Sequence, residues 1–184
     1  MILNELAVRI TKKLLYNFED CILFAYPDPS SDLYKALSEH GMLPSYLSGK
    51  TRWKDLPDNF KGLSGAPFTC GVGETNGVTK NTVYTAAEAD AKLDFRVRLV
   101  MTQALTDCPA LAKMKPECIA ACTSLAYNVG SSAFKNSTAA KQIAAGHYGL
   151  VPDAMKMWNK SAGKIVQGLV NRRKVEADLF KSGV

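Results

Sequence analysis

Most hydrophobic positions along this chain fall at helical spacing. Leu6, Ile10, Leu14 and Phe18 recur every four residues with Leu3 and Ala7 beside them, while Arg9, Lys12 and Lys13 fall elsewhere. That spacing predicts an amphipathic first helix ending close to Glu19. The following Tyr26-Pro27-Asp28-Pro29 holds two prolines that restrict their neighbours to extended or turn geometry. In residues 29–66, Ser30-Ser31 should cap a short helix to about Glu39, with Gly41 ending it. A loop-rich stretch with Trp53, Pro57 and Phe60 then runs to Pro67, and the segment reads as an insertion. Residues 67–84 carry hairpin signals: Asn76-Gly77 suits a type I′ turn, whose two central residues both need positive φ.

Beyond the hairpin the pattern is helical throughout. Thr85-Ala86-Ala87-Glu88 is a capping box opening a helix to about Leu105. Pro116 suits the first turn of a helix carrying Ile119, Cys122, Leu125, Ala126 and Val129, with Gly130 as its stop. Ser137-Thr138 starts a short helix ending at Gly146, another is expected from about Pro152 to Trp158, and Gly168 opens the last. The predicted fold class is α+β and mostly helical: one domain over 1–184, with a small β-hairpin lobe and a helical-bundle lobe over 85–184.

Composition narrows the function. The 184 residues are 47% apolar, enough for a sizeable core. No apolar run approaches the roughly 18 to 20 residues that span a bilayer; the longest, Cys21 to Pro27, is broken by Tyr26. "MILNELAVRITKK" lacks the uninterrupted apolar core of a secretory signal, so a soluble chain made in the cytoplasm, without stable membrane insertion, is expected. The net charge of +6 favours an anionic partner: nucleic acid, a lipid surface or a bacterial envelope polymer. Nucleic acid is the weakest of these, because the densest basic cluster, "NRRK" at 171–174, sits in a helical pattern without interleaved aromatics. The five cysteines, Cys21, Cys70, Cys108, Cys118 and Cys122, have no metal-finger spacing. They read as buried free thiols, although Cys108 and Cys118 bracket a short loop and could pair in an oxidising compartment. No cofactor and no metal is expected.

The candidate chemistry begins with two acids. Glu19 and Asp28 are separated by eight residues across a turn, one near a helix end and one on the following loop. Paired carboxyls are the usual equipment of glycoside hydrolysis, one protonated to assist the leaving oxygen and one ionised. "FEDCILFAYPD" (18–28), "TCGVGETNGVT" (69–79), "TAAEAD" (85–90), "CTSLAYNVGSSAFKNST" (122–138) and "GLVNRRKVEADLF" (168–180) occur in that order. Together they resemble the phage-type lysozymes, the endolysins of glycoside hydrolase family 24, whose pattern is Glu, eight residues, Asp or Cys, five residues, Thr. Here 40 residues rather than five separate Asp28 from Thr69, so about 35 extra residues must loop out. Loop closure entropy rises slowly enough to allow this.

The resemblance implies a lysozyme-like fold and an endolysin that cleaves the β-1,4 bond between N-acetylmuramic acid and N-acetylglucosamine in peptidoglycan, with inversion. It implies Glu19 as general acid, and Asp28 and Thr69 as holders of the attacking water. Asp32, Asp55 and Asp58 are the other acids that could take the place of Asp28. A Glu near a helix C-terminus feels the negative end of the helix dipole, which favours the protonated form. A Thr hydroxyl both donates and accepts, so it orients a water that a Val could not. Arg172 of the last helix is the expected supporting residue beside the Glu, with Arg173 second. Trp53 and Asn128 are expected substrate contacts; Tyr34, Tyr46, Trp53 and Phe60 either line a sugar subsite or form the core of the insertion. The partner would be bacterial peptidoglycan, the protein a monomer, and its route to the wall a holin-type pore or another export path. The rival readings are a non-catalytic peptidoglycan-binding module and a cysteine peptidase or amidase, for which only His40 and His147 are available.

Overall fold

A computed structural model describes residues 2–184. Asn4 starts the first helix, its Oδ1 accepting the N–H groups of Leu6 and Ala7 at 3.1 Å each. This helix, α1 (Glu5–Phe18), stops one residue before Glu19. Strand β1 (Cys21–Pro27) follows, then the helices α2 (Asp32–Glu39), α3 (Leu43–Leu47) and α4 (Asp58–Lys61), with a 3₁₀ turn at Trp53–Asp55 between the last two. Strand β2 (Phe68–Val72) precedes α5 (Ala86–Asp107) and α6 (Pro116–Val129). Short helices α7 (Ser131–Asn136), α8 (Thr138–Ala144) and α9 (Val151–Lys156), a minimal pair of strands β3 (Lys160–Ser161) and β4 (Lys164–Ile165), and α10 (Gln167–Ser182) complete the chain. It divides into two units, residues up to Phe18 with Asp94–Val184, and Glu19–Leu93.

The first unit is organised around α6, which packs against both α1 and α10. Every residue of α6 from Cys118 to Ala126 is buried, as a helix hydrophobic on all faces must be. The expected helix signals operate as physics requires. Gly130, at φ 91°, ends α6, and the Ser137 side chain accepts the Ala140 N–H at the start of α8. Four of the five cysteines are buried, but Cys21 is exposed, which corrects the expectation for that one. All five are free: Cys108 Sγ donates to Ala140 O and Cys118 Sγ to Phe180 O, so the two thiols that bracket the short loop serve separate carbonyls.

On this unit Arg98 of α5 donates to both carboxylate oxygens of Glu5, at 2.7 and 2.8 Å, and to Asp94 at 2.6 Å. These bonds hold the Glu5 and Asp94 carboxyls below their ordinary 4.5 and 3.8. A depressed carboxyl contributes stability above its unfolded pKa and loses it as pH falls through the folded value. The stability difference between wild type and Arg98→Gln should therefore be present at neutral pH and fade as pH falls below the ordinary carboxyl values. Thermal melts across that range test it; a difference that persists at low pH would show that Arg98 acts by packing instead.

The second unit contains the insertion and the larger sheet. Ser31 caps α2 by accepting the Tyr34 N–H, and α2 ends at Glu39, two residues before Gly41 at φ 66°. The stretch expected to be loop-rich is folded around its own core of Leu33, Leu37, Tyr46, Trp53, Leu56 and Phe60, with Tyr26 and Phe68 of the strands packed on it. Thr85 and Glu88 form the reciprocal capping box: Thr85 N–H donates to Glu88 Oε2 at 2.7 Å, and Glu88 N–H to Thr85 Oγ1 at 3.1 Å.

Within 67–84 the expected hairpin is reduced to one antiparallel bridge, Cys70 with Glu74. β2 pairs antiparallel with β1, a strand that sequence showed only as an apolar run, with Cys21 opposite Val72, Ile22 opposite Gly71, Tyr26 opposite Thr69 and Pro27 opposite Phe68. The chain reverses at once after β2, Cys70 and Glu74 exchanging backbone hydrogen bonds of 2.9 and 3.1 Å around Gly71 and Gly73, at φ 65° and 69°. Asn76-Gly77 forms a separate turn closed by Val78 N–H to Thr75 O at 3.3 Å. Gly77 alone of its two central residues has positive φ, so the turn is not type I′.

Candidate active site

The sheet closes the 40-residue gap that separates Asp28 from Thr69 in sequence. Thr69 stands opposite Tyr26, and Phe68 opposite Pro27, the residue immediately before Asp28. Between Ile22 and Tyr26 the pairing slips: β1 advances four residues while β2 advances two, from Gly71 to Thr69. The excess of β1 pairs on its other side, where Ala25 N–H donates to Thr82 O at 2.9 Å and Tyr84 N–H to Leu23 O at 2.8 Å. Such a bulge bends its strand, and this one lies between the residues that Glu19 and Asp28 flank.

Glu19 is half-buried at the bend after α1. Its Oε2 lies 3.9 Å from where a Cβ on Gly73 would stand, an ordinary contact, so it is the φ of 69° rather than lack of space that calls for glycine beside the acid. Thr69 is half-buried, and its side chain is hydrogen-bonded to the Tyr26 phenol. Burial pushes the Tyr26 hydroxyl above its ordinary 10; the Thr69 bond opposes this, and the charges of Glu19 and Asp20 add to it. Tyr26 therefore stays a neutral O–H at physiological pH and can hold a hydroxyl or a water. It is a neighbour of the candidate site that sequence reasoning missed, although its place two residues before Asp28 in an extended segment was a usable signal.

Asp28 is built into the turn that starts the insertion. Its Oδ1 accepts the Ser30 N–H at 2.7 Å and also a short bond from the Ser30 hydroxyl, while its carbonyl accepts from Ser31. This Asx arrangement fixes the carboxylate and leaves Oδ2 outside the turn. Glu19, Asp28 and Thr69 thus belong to one unit and to the two ends of one strand pair.

The other expected residues divide between the units, Trp53 in the second and Asn128 and Arg172 in the first. Trp53 is buried in the insertion core, edge-on to Phe68 at 6.1 Å, with Lys80 Nζ 4.5 Å from its ring centroid. It presents no open face for a sugar ring, and with Tyr46 and Phe60 it is part of the buried core of the insertion, whereas Tyr34 is half-buried and outside that core. Arg172 and Arg173 belong to the other unit, where both are buried rather than lying on a charged helix surface. Arg172 Nε donates to Glu176 Oε1 at 3.2 Å, and its guanidinium sits 5.3 Å from the Phe18 ring centroid. Arg173 pairs with Glu176 Oε2 at 3.1 Å and donates from Nη2 to the exposed Asn128 at 2.9 Å. Ser124 Oγ donates to Glu176 Oε1 at 2.6 Å. Burial pushes the Glu176 carboxyl up and the Arg173 guanidinium down, the two arginines opposing the former. The two histidines are engaged locally, His40 Nδ1 with Ala36 O and His147 Nδ1 with Gln142 Oε1.

Comparison with known proteins bears on the whole arrangement. The chain is 48% identical over 63 residues to the endolysin of Bacillus phage PZA, a match covering 34% of this chain and 24% of that protein. It spans about a quarter of the length of the Bacillus phage endolysins it matches. To the SAR-endolysin of Escherichia phage Mu it is 32% identical over 121 residues, covering 66% of this chain and 69% of the relative. The crystal structure of the active form of the P1 phage endolysin Lyz shares its fold, with a TM-score of 0.70 at 18% identity over 95% of this chain and 84% of that one. Residues 55–176 match the family model for phage lysozyme, a span that includes Thr69, Arg172 and the Arg173–Glu176 pair and begins after Glu19 and Asp28. With more than half of its length so matched, the chain belongs to the phage lysozyme family.

Proposed function

We propose that this chain is an endolysin that hydrolyses the β-1,4 bond between N-acetylmuramic acid and N-acetylglucosamine in bacterial peptidoglycan. The observation that carries the reading is the β1–β2 pairing, which sets Thr69 against Tyr26, next to Asp28, with Glu19 at the other end of the same strand beside Gly73. Glu19 donates its proton to the glycosidic oxygen as the bond from that oxygen to the anomeric carbon breaks. A water held by the Thr69 hydroxyl and Asp28 Oδ2 attacks the anomeric carbon from the opposite face and passes its proton to Asp28. The products are an inverted N-acetylmuramic acid reducing end and a free 4-hydroxyl on N-acetylglucosamine, and solvent returns the two carboxyls to their starting states.

Tyr26 holds Thr69 in position for this step. Thr69→Val keeps the shape of the side chain and removes the hydroxyl. It should lower kcat by about 10²-fold with little change in KM, the effect of misplacing a reactant. A proportional rise in KM would make Thr69 a binding residue instead. The chain acts as a monomer on peptidoglycan and reaches it through a holin-type pore or another export route. Among the described residues no helix is long and apolar enough to cross a membrane.

Digestion of purified peptidoglycan tests the activity directly. New reducing ends without new amino groups are expected. Amino groups alone would indicate a peptidase or amidase, an anhydro sugar would indicate transglycosylation, and binding without either product would indicate a non-catalytic module.

A further inference from the structure

Away from Glu19 and Thr69, the second unit contains a cavity of about 340 Å³ lined by Phe24, Ala25, Arg52, Trp53, Lys54 and the segment 80–83. Three separate pieces of chain build it. Phe24 and Ala25 come from the bulged part of β1. Arg52 to Lys54 come from the insertion, and Lys80 and Asn81 form the corner of a turn closed by Thr82 N–H to Thr79 O at 2.9 Å. That turn is tied to β1 through Ala25 N–H and Thr82 O. Arg52 is held by its own contacts: its guanidinium carbon is 4.4 Å from the Phe24 ring centroid, and Nε donates to Gly49 O at 3.4 Å. Lys80 rests on the face of Trp53.

Arg52, Lys54 and Lys80 therefore converge on one cavity whose lining includes no carboxylate. The nearest acid in sequence, Asp55, is occupied by the Arg52 backbone N–H at 3.1 Å, and Asp58 pairs with Lys61 at 3.2 Å. Three cations around one cavity repel one another, and an anion entering it relieves that repulsion. Asn81 and Thr82 add neutral hydrogen-bonding groups suited to hydroxyls. Single-stranded nucleic acid is bound by stacking bases on exposed aromatic faces, but Trp53 is 8% exposed and covered by Lys80. A slim, flexible chain of phosphates and hydroxyls fits the volume better than a base does.

We propose that this cavity binds the phosphodiester of an anionic polyol-phosphate polymer of the bacterial envelope, and so retains the protein at the wall independently of glycan cleavage. The probe is purified poly(glycerol phosphate), with binding measured by calorimetry at two salt concentrations. Wild type should bind it in a salt-dependent way, and Lys54→Gln/Lys80→Gln should weaken binding at least tenfold. Both lysines are exposed, so this variant should melt at the wild-type temperature, and adding Arg52→Gln should weaken binding further. Free glycerol phosphate should displace the polymer where acetate does not. Hydrolysis of peptidoglycan stripped of phosphate polymers should be unchanged in the double variant.

Unaltered polymer binding by the double variant, or no binding by wild type, would overturn the proposal. Equal displacement by acetate would overturn the assignment to phosphate, and equally lysine-dependent binding of single-stranded DNA would overturn the assignment to a wall polymer. The calorimetric readout involves no bond cleavage, so its outcome is separable from that of the proposed hydrolysis.

Discussion

Glu19→Gln should lower the rate of peptidoglycan hydrolysis by about 10³-fold, within the range that positioned general acids contribute, while leaving the melting temperature unchanged. The amide has the shape of the acid but no proton to give to the glycosidic oxygen. Glu19 lies outside both helix and strand and beside a glycine, so its core-packing role is small. Reducing ends released per unit time, measured at matched protein concentration, provide the readout. Activity within tenfold of wild type would remove Glu19 as the acid. The comparison with Thr69→Val is informative in itself, because loss of the acid should exceed loss of the water-orienting hydroxyl.

The largest stability effect is expected at Glu176. Its carboxylate is fully buried and accepts from Ser124, Arg172 and Arg173, so Glu176→Ala would leave the buried Arg173 guanidinium without this counter-charge. Breaking a buried pair from one side costs about 3 to 5 kcal/mol, much of it from the stranded partner. Denaturant unfolding should show a loss of this size. Asn128→Ala, which removes an exposed acceptor from Arg173, should cost about 1 kcal/mol, the ordinary worth of one hydrogen bond. A loss below about 1 kcal/mol for Glu176→Ala would mean that water replaces the carboxylate. Replacing all the charged members together by apolar residues need not destabilise, because the cost lies in an unpaired charge rather than in the absence of an ion pair.

Sequence revealed what is local. The four-residue apolar spacing located α1, and Thr85 with Glu88 marked the start of α5, because a helix and its cap are decided within a turn or two. The partner of β2 was not legible in the same way. Cys21 to Pro27 is uniformly apolar, without the alternation that reports a half-buried strand, and its pairing partner lies some 40 residues away. The Asn76-Gly77 signal drew the reversal to the wrong place, because Gly71 and Gly73 already supply positive φ on both sides of Val72.

The proposed site was legible as an ordered set of residues, Glu19, Asp28 and Thr69, while Tyr26 became visible only once the register placed it opposite Thr69. Arg172 and Arg173 were expected to support the Glu, a reading that says nothing of how deeply they lie. Their burial was foreshadowed only by Glu176 at the i+4 and i+3 positions, a spacing that also occurs on exposed helices.

The neck of the insertion has a practical consequence. Asp28 N–H donates to Gly65 O at 3.1 Å and Leu33 N–H to Ser64 O at 3.0 Å, so the segment leaves and rejoins the sheet through one hydrogen-bonded gate. A module with clamped ends and its own apolar centre can be exchanged as a unit, provided the graft supplies cover for Tyr26 and Phe68. The stretch between Asp28 and Thr69 thus behaves as a cassette, into which binding specificities can be spliced without rebuilding the strand pair beneath.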